Sequence, residues 1–341
     1  RLVVDVFKYC ATEVPRWNTI SISGYHMREA GATAVQELAF TFSNAISYLE
    51  AAIAAGLDVD GFAPRVSFFF VAQNNLFEEV AKFRAARRMW ARIMRDRFGA
   101  KDPRSLMLRF HTQTAGVSLT AQQPDNNLIR CTVQALAAIL GGSQSLHVNS
   151  RDEALALPTE ESAQLSLRTQ QILAFESGAA DVVDPLGGSY YVESLTNELE
   201  DQALRYIKQI DQMGGAVTAI EQGFQVREIG DAAYQHRQEV EAGDRTIVGV
   251  NRFISDSPPI EGLLKVGTEA TVGHLKRLQK LREGRDGVAV KTSLARLEEV
   301  AKGSDNTVPA ILECVENYCT IGEICQVFRD VFGEQDQMAA F

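Results

Sequence analysis

Along its first 185 residues the chain alternates short β-branched or aromatic runs with longer stretches whose apolar residues recur at helical spacing. Thr19-Ile20-Ser21-Ile22-Ser23 reads as a strand, followed by a helix over 34–55 with Leu38, Ala39, Ile46 and Leu49 on its apolar side. Val66-Ser67-Phe68-Phe69-Phe70-Val71 predicts a second strand, hydrophobic enough to be buried on both faces. A helix over 77–98 comes next, with Lys82, Arg87 and Arg88 expected on its solvated face. Residues 105–110 predict a third strand, 126–140 a helix, 144–148 a fourth strand and 162–176 another helix.

Strand and helix in regular alternation imply parallel strands joined by right-handed crossovers, in either a doubly wound sheet or a (β/α) barrel. No GxGxxG or Walker loop follows any strand, which removes the support for a nucleotide-binding sheet and for a nucleotide-dependent oxidoreductase. Polar residues gather instead just after the C-terminal ends of the strands: Gly24-Tyr25-His26, Ala72-Gln73-Asn74-Asn75, His111-Thr112-Gln113 and His147-Val148-Asn149. A barrel keeps its active site at that end. The expected fold class is therefore α/β, the C-terminal half of a (β/α)8 TIM-type barrel followed by a mainly helical C-terminal region. Four βα units leave two open sheet edges. Together with a start at Arg1, that predicts a chain lacking its N-terminal part.

Asp184-Pro185-Leu186-Gly187-Gly188 is a turn-rich break, after which the pattern changes. A short strand is predicted over 189–192, helices over 195–213, 216–222 and 229–242, and one more strand over 246–251. Residues 255–261, with Pro258-Pro259, read as a linker, and helices are expected over 271–283, 291–302, 308–318 and 321–332. The expected organisation is a catalytic partial barrel over 1–185, a helical extension over 186–254, and a linker with helical tail over 255–341.

Composition narrows the function classes. The 341 residues carry a net charge of −10, which gives a nucleic-acid or anionic-membrane partner no overall electrostatic support. No apolar run reaches the roughly 18 residues of a membrane span. Five scattered cysteines lack CxxC spacing or a nearby His, so free thiols in a reducing cytoplasm are expected and no metal site.

One series of blocks adds chemistry. Ile20-Ser21-Ile22-Ser23-Gly24-Tyr25-His26-Met27-Arg28-Glu29-Ala30-Gly31-Ala32 is followed by Phe62-Ala63-Pro64-Arg65-Val66-Ser67-Phe68-Phe69-Phe70 and by 77–87. His111-Thr112-Gln113-Thr114-Ala115-Gly116, Ser143-Gln144-Ser145-Leu146-His147, Asn149-Ser150, 152–159 and Asp184-Pro185 complete the series. In this order they resemble the methylmalonyl-CoA mutase family, in particular the large, substrate-binding subunit of its split type.

The resemblance implies radical isomerisation of an acyl-CoA with adenosylcobalamin as cofactor, (R)-methylmalonyl-CoA to succinyl-CoA being the commonest family reaction. Isobutyryl-CoA or 2-hydroxyisobutyryl-CoA mutation is the alternative within the family, and a non-catalytic fragment or assembly subunit the alternative outside it. His26 is implied as the catalytic donor to the thioester oxygen, with Tyr25 between substrate and corrin. Arg65, Ser67, Phe69, His111, Gln113 and Ser145 are implied to hold the acyl-CoA. Glu29, Gly116, Glu153 and Ala156 are implied to face the cobalamin. The Asp-x-His-x-x-Gly motif of a cobalamin-binding domain is missing, so a small cobalamin-binding subunit is expected to bring the cobalt ligand in a hetero-oligomer. Arg28 stands where Gln is common in some members.

Overall fold

A computed structural model describes residues 1–255 and 262–334 of the chain. Most of the 255–261 linker expected from the sequence lies outside the described residues. Two compact units are present, one over 20–264 and one joining 1–19 to the C-terminal helices from Lys265 onward.

The larger unit is built on a four-stranded parallel sheet, β1 (Ser21–Ser23), β2 (Ser67–Ala72), β3 (Phe110–Thr114) and β4 (Ser145–His147), in the order β1-β2-β3-β4. Helix α2 (Tyr25–Glu29) follows β1 directly, and α3 (Ala34–Ala54) begins after a turn. Its start is fixed by a capping box, with the Gln36 N–H donating to Thr33 Oγ1 and the Thr33 N–H donating to Gln36 Oε1. A short helix α4 (Val59–Phe62) leads into β2, α5 (Leu76–Arg92) follows it, and a π-helical turn over Ile93–Arg97 extends α5. Helices α6 (Asn126–Leu140) and α7 (Glu160–Phe175) flank β4 in the chain. Then come α8 (Tyr190–Gln212), α9 (Ala216–Glu221) and α10 (Phe224–Ala242).

Successive residues of a strand face opposite ways, and β2 uses the two faces differently. Phe68 and Phe70 are buried, while Ser67 and Phe69 are only half-buried, so the run is not enclosed on both sides as its hydrophobicity predicted. On the enclosed side, Phe68 meets Trp90 of α5 edge-on at 4.8 Å, Phe42 of α3 packs edge-on against both Phe68 and Phe70, and Phe83 stacks on Phe110 at 5.2 Å. These rings fasten α3 and α5 to one face of the sheet.

Beneath the C-terminal end of β2 lies a group of buried charges. Lys82 is 0% exposed, and its Nζ reaches Glu37 Oε2 at 2.7 Å, Glu79 Oε2 at 2.5 Å and the Val71 carbonyl at 2.6 Å. Glu37 Oε1 accepts the Val71 N–H at 2.8 Å, and Arg28 lies 3.6 Å from Glu79. Burial outweighs the attraction of Lys82 and pushes the Glu37 carboxyl above its usual range. Lys82 was expected on a solvated face, and the structure corrects this. The α8 helix packs along α5, and the arginines there pair with it: Arg84 with Glu193, Arg88 and Arg92 with Glu200.

Three predicted strands also change. The third lies at Phe110–Thr114 rather than 105–110, because Asp102 caps a 3₁₀ turn over Pro103–Leu106 and consumes the apolar residues before it. Tyr190-Tyr191-Val192 opens α8 instead of forming a strand. Residues 246–251 form a turn, closed by the Asn251 side chain, which accepts the Ile247 N–H and donates to the Val240 and Arg245 carbonyls.

The smaller unit holds α1 (Leu2–Thr12), α11 (Thr268–Gly284), α12 (Gly287–Lys302), α13 (Thr307–Glu316) and α14 (Ile321–Phe332). Asp5 of α1 accepts the Thr307 backbone N–H at 3.2 Å and its hydroxyl at 2.8 Å, at the start of α13. Leu297, Ala310, Cys314 and Ile324 form its core. Among the described residues no single helix is long and apolar enough to cross a membrane.

Replacing Lys82 with Met leaves two buried carboxylates without their cation. That should cost about 3–5 kcal/mol, the scale for breaking a buried ion pair. Denaturant unfolding should show the loss directly, whereas Arg95→Ala, at an exposed pair with Asp96, should leave the midpoint where it was.

Candidate functional site

The half-open face of the sheet carries a row of side chains set by strand register. Ser23 pairs with Phe69, Phe69 with His111, and His111 with Ser145. Two residues further along, Val71, Gln113 and His147 make the next row on the same face. His111 and Gln113 therefore lie within β3 and not after it.

The contacts along these rows are close. Tyr25, at the start of α2, stacks on Phe69 with 4.7 Å between ring centroids and 8° between planes. Phe69 in turn lies 5.0 Å from the His111 ring, and His111 Nδ1 is 2.8 Å from Ser145 Oγ. Gln113 Nε2 donates to Tyr25 Oη and to Asn149 Oδ1, both at 2.8 Å. His26 is exposed, with Nδ1 3.3 Å from Ser23 Oγ.

Tyr25 and His26 are placed by Gly24. A Cβ built on Gly24 would lie 2.3 Å from Thr41 Oγ1 and 2.8 Å from Glu37 Cγ, so only glycine lets β1 turn into α2 this close to α3. Partial desolvation lowers the pKa of His26 although the ring is exposed, and partial desolvation first and the neighbouring His147 second lower that of His111, which favours the neutral form of both rings. Burial, with Glu29 and Glu153 nearby, pushes the Tyr25 phenol up to about 12.

At the C-terminal end of the strands a second group converges on Gly116. A Cβ there would lie 3.1 Å from Glu29 Oε2, 3.3 Å from Asn149 Nδ2 and 3.8 Å from Glu153 Oε1. Glu29 Oε2 accepts the Val117 N–H at 2.8 Å, while its Oε1 is buried with no hydrogen-bond partner among the described residues. Burial, reinforced by the charges of Glu153 and Glu37, raises the Glu29 pKa to about 7 against the pull of backbone N–H groups from Val117 and Gly116. Ala156 sits in the same turn as Glu153, its N–H donating to the Asp152 carbonyl at 2.9 Å.

Arg65 and Ser67 lie at the other end of β2. Arg65 closes the 3₁₀ turn Ala63–Arg65 rather than belonging to the strand, and the Ser67 hydroxyl donates to the Ile20 carbonyl at 3.1 Å. Arg109, just before β3, is near enough to Arg65 that the two cations oppose each other; burial first and Arg65 second lower its pKa. Strand register thus puts Ser67, Phe69, His111, Gln113 and Ser145 on one face, with Arg65 and Arg109 near the strand starts and Glu29, Gly116 and Glu153 grouped near the strand ends, so the chemistry runs from cationic through aromatic and amide to acidic. Sequence reasoning gave no role to Asn149, which joins the last two of these groups, or to Arg109. Asn149 stood in a recognised block, and Arg109 sits two residues ahead of His111, the spacing that puts both on one side of a strand.

The fold defines an α/β protein whose parallel sheet leaves one face half-open and lined by polar and aromatic side chains. A profile of the family described as Methylmalonyl-CoA mutase matches residues 1–334. The chain is 44% identical over 343 residues to the 2-hydroxyisobutanoyl-CoA mutase large subunit of Aquincola tertiaricarbonis, covering 100% of this chain and 61% of that subunit. It is 47% identical over 336 residues to a methylmalonyl-CoA mutase of Rhizobium meliloti (strain 1021), covering 98% of this chain and 47% of the relative. Against the mitochondrial methylmalonyl-CoA mutase of Homo sapiens the identity is 42% over 336 residues, 98% of this chain and 45% of the relative. The chain belongs to the methylmalonyl-CoA mutase family, which comprises adenosylcobalamin-dependent acyl-CoA mutases. It spans roughly half the length of these relatives, from 45% to 61%.

Because its folded pKa stands above the 4.5 of a free carboxyl, Glu29 favours the folded state at low pH, and that contribution disappears as pH rises through about 7. Glu29→Gln should flatten the fall in thermal midpoint of the ligand-free protein between about pH 4.5 and 7 and leave the variant the more stable form above it. Superimposable midpoint–pH curves would show that Glu29 ionises normally.

Proposed function

We propose that this chain supplies the acyl-CoA- and corrinoid-facing surface of an adenosylcobalamin-dependent mutase that isomerises (R)-methylmalonyl-CoA to succinyl-CoA. The observation that carries this reading is the ordered run from cationic through aromatic and amide to acidic groups along the sheet. From Ser67 to Val71 is four residues, about 13 Å at strand spacing, and Arg65 lies in the turn just before it. An extended thioester fits that span, with phosphates at Arg65 and the reacting acyl group beside Tyr25 and His26. Arginine suits the phosphates because its planar guanidinium gives paired, charge-assisted hydrogen bonds.

In this reading the four in-order parallel strands are consecutive strands of a (β/α)8 barrel. The residues around Gly116 fit adenosylcobalamin in their chemistry: the unpartnered Glu29 Oε1 and the neighbouring Glu153 carboxyl would meet ribose hydroxyls and corrin amides. When bound, that cofactor supplies the radical chemistry for which no side chain here is suited. A separate small subunit brings the cobalt-ligating residue, and the assembly is a cytoplasmic hetero-oligomer; the large-subunit designation of the Aquincola tertiaricarbonis relative supports a partner of this kind.

The chain's own residues position, polarise and shield. Ser23 occupies His26 Nδ1, so Nε2 is the nitrogen left to donate to the thioester oxygen, whose charge changes as the group migrates. A neutral imidazole does this without bringing a full charge to the site. His111 and Ser145, bonded to each other, face the pantetheine arm beside Phe69. Tyr25 stacked on Phe69 forms a flat apolar wall that keeps water from the reacting carbons. A second reading, 2-hydroxyisobutyryl-CoA as substrate, is supported by the 44% identity to the Aquincola tertiaricarbonis subunit, which spans 100% of this chain and 61% of that subunit.

Assaying the complete enzyme with adenosylcobalamin against both acyl-CoA substrates tests the function; turnover of neither overturns it. His26→Ala should lower kcat by about 10²–10³-fold, the scale for one oriented donor, with acyl-CoA affinity nearly unchanged. Arg65→Ala should raise KM and spare kcat. An effect of Arg65→Ala confined to kcat would remove it from the CoA-binding surface.

A further inference from the structure

Asn149 follows β4 and is 1% exposed. Its backbone N–H donates to Thr114 Oγ1 at 2.8 Å, and its side-chain Nδ2 donates to the Thr114 carbonyl at 2.9 Å. Its own carbonyl accepts the Ser166 hydroxyl at 3.2 Å, so the residue is tied to both β3 and α7. A carbonyl oxygen can only accept, so the amide nitrogen of Asn149 must face Thr114 and Oδ1 must face the other way. There Oδ1 accepts Gln113 Nε2 at 2.8 Å, and the same nitrogen donates to Tyr25 Oη at 2.8 Å. Asn149 therefore dictates which end of the Gln113 amide meets Tyr25, and Tyr25 is the ring that stacks on Phe69.

We propose that Asn149 is a positioning residue for the acyl-CoA rearrangement: it sets the direction of the Gln113 amide and through it holds Tyr25 against Phe69. This rests on the mutase reading above. The side chain is too deeply bonded to its neighbours to serve as a reacting group, and it acts by fixing two residues that line the substrate surface.

Two variants of the complete enzyme test it. Asn149→Ala removes both amide bonds and should lower kcat by about 10–100-fold with KM within about threefold, the effect of a misplaced wall rather than a lost contact. Asn149→Asp carries an informative pH dependence. Protonated, its O–H can donate to the Thr114 carbonyl while its C=O accepts from Gln113, which reproduces the asparagine pattern. Ionised, it sets a carboxylate against that carbonyl and in the company of Glu29 and Glu153. Its kcat relative to wild type should therefore recover by about tenfold or more as pH falls. Unchanged kcat in Asn149→Ala, or a pH-independent ratio for Asn149→Asp, would overturn the proposal. A ligand-free crystal structure of Asn149→Ala separates this from the functional reading: Gln113 should leave Tyr25 and the ring should swing from Phe69. If both stay in place, Asn149 is not the positioning residue, whatever the enzyme's activity. If both move but the wild type turns over no acyl-CoA, the mutase reading fails and the positioning stands.

Discussion

Lys82 is the point on which the larger unit turns. A fully buried ammonium must find compensating charge, and here it finds Glu37 from α3, Glu79 from α5 and a peptide carbonyl of β2 in one place. Three elements are thereby locked at the strand end where the candidate site begins. Glu37 also holds the Val71 N–H and crowds Gly24, so the same carboxylate that pairs with Lys82 bounds the space in which β1 turns toward Tyr25 and His26. Hydrophobic packing of Phe42, Phe68, Phe70 and Trp90 supplies non-directional attraction behind the sheet. The buried charges add direction, because they tolerate only one alignment.

On the other face the same sheet has been left polar and aromatic. The alternation of a strand makes this division unavoidable: once Phe68, Phe70 and Phe110 are committed to the core, Ser67, Phe69 and His111 must look outward. Elongated ligands suit such a surface, since its chemistry changes in steps along the strand axis. Neutral histidines and a hard-to-ionise phenol make the middle zone nearly uncharged, with arginines at one limit and carboxyls at the other.

Much of this was readable from the residues, and the failures have physical causes. The phenylalanine run of β2 and the periodicity of α3, α5 and α6 announced themselves. The third strand was displaced because its interior is His-Thr-Gln-Thr, whose polarity resembles a loop until its neighbours cover Thr112 and Thr114. Lys82 looked solvated because an i,i+3 pair with Glu79 is common on exposed helix faces, while Glu37, which joins them in the interior, is 45 residues away. Tyr190-Tyr191-Val192 has strand-like residues but heads a long helix, where tertiary packing on α5 overrides local preference. The candidate-site residues were found through family blocks rather than through periodicity. The Asn149 hydrogen bonds that orient them join the turn after β4 to β3 and to α7, which no local pattern describes.

Strand order in the sheet matches order in the chain, and every pairing is between consecutive strands. A polypeptide emerging from the ribosome can therefore dock each βα unit on the one already made, without waiting for a distant segment to return. The loop-closure entropy is met in modest instalments, and the aromatic layer of β2 is covered before β4 has been synthesised. Growth of this kind covers the leading edge of each strand with the next one made, which shortens the time available for wrong partners to pair with that edge.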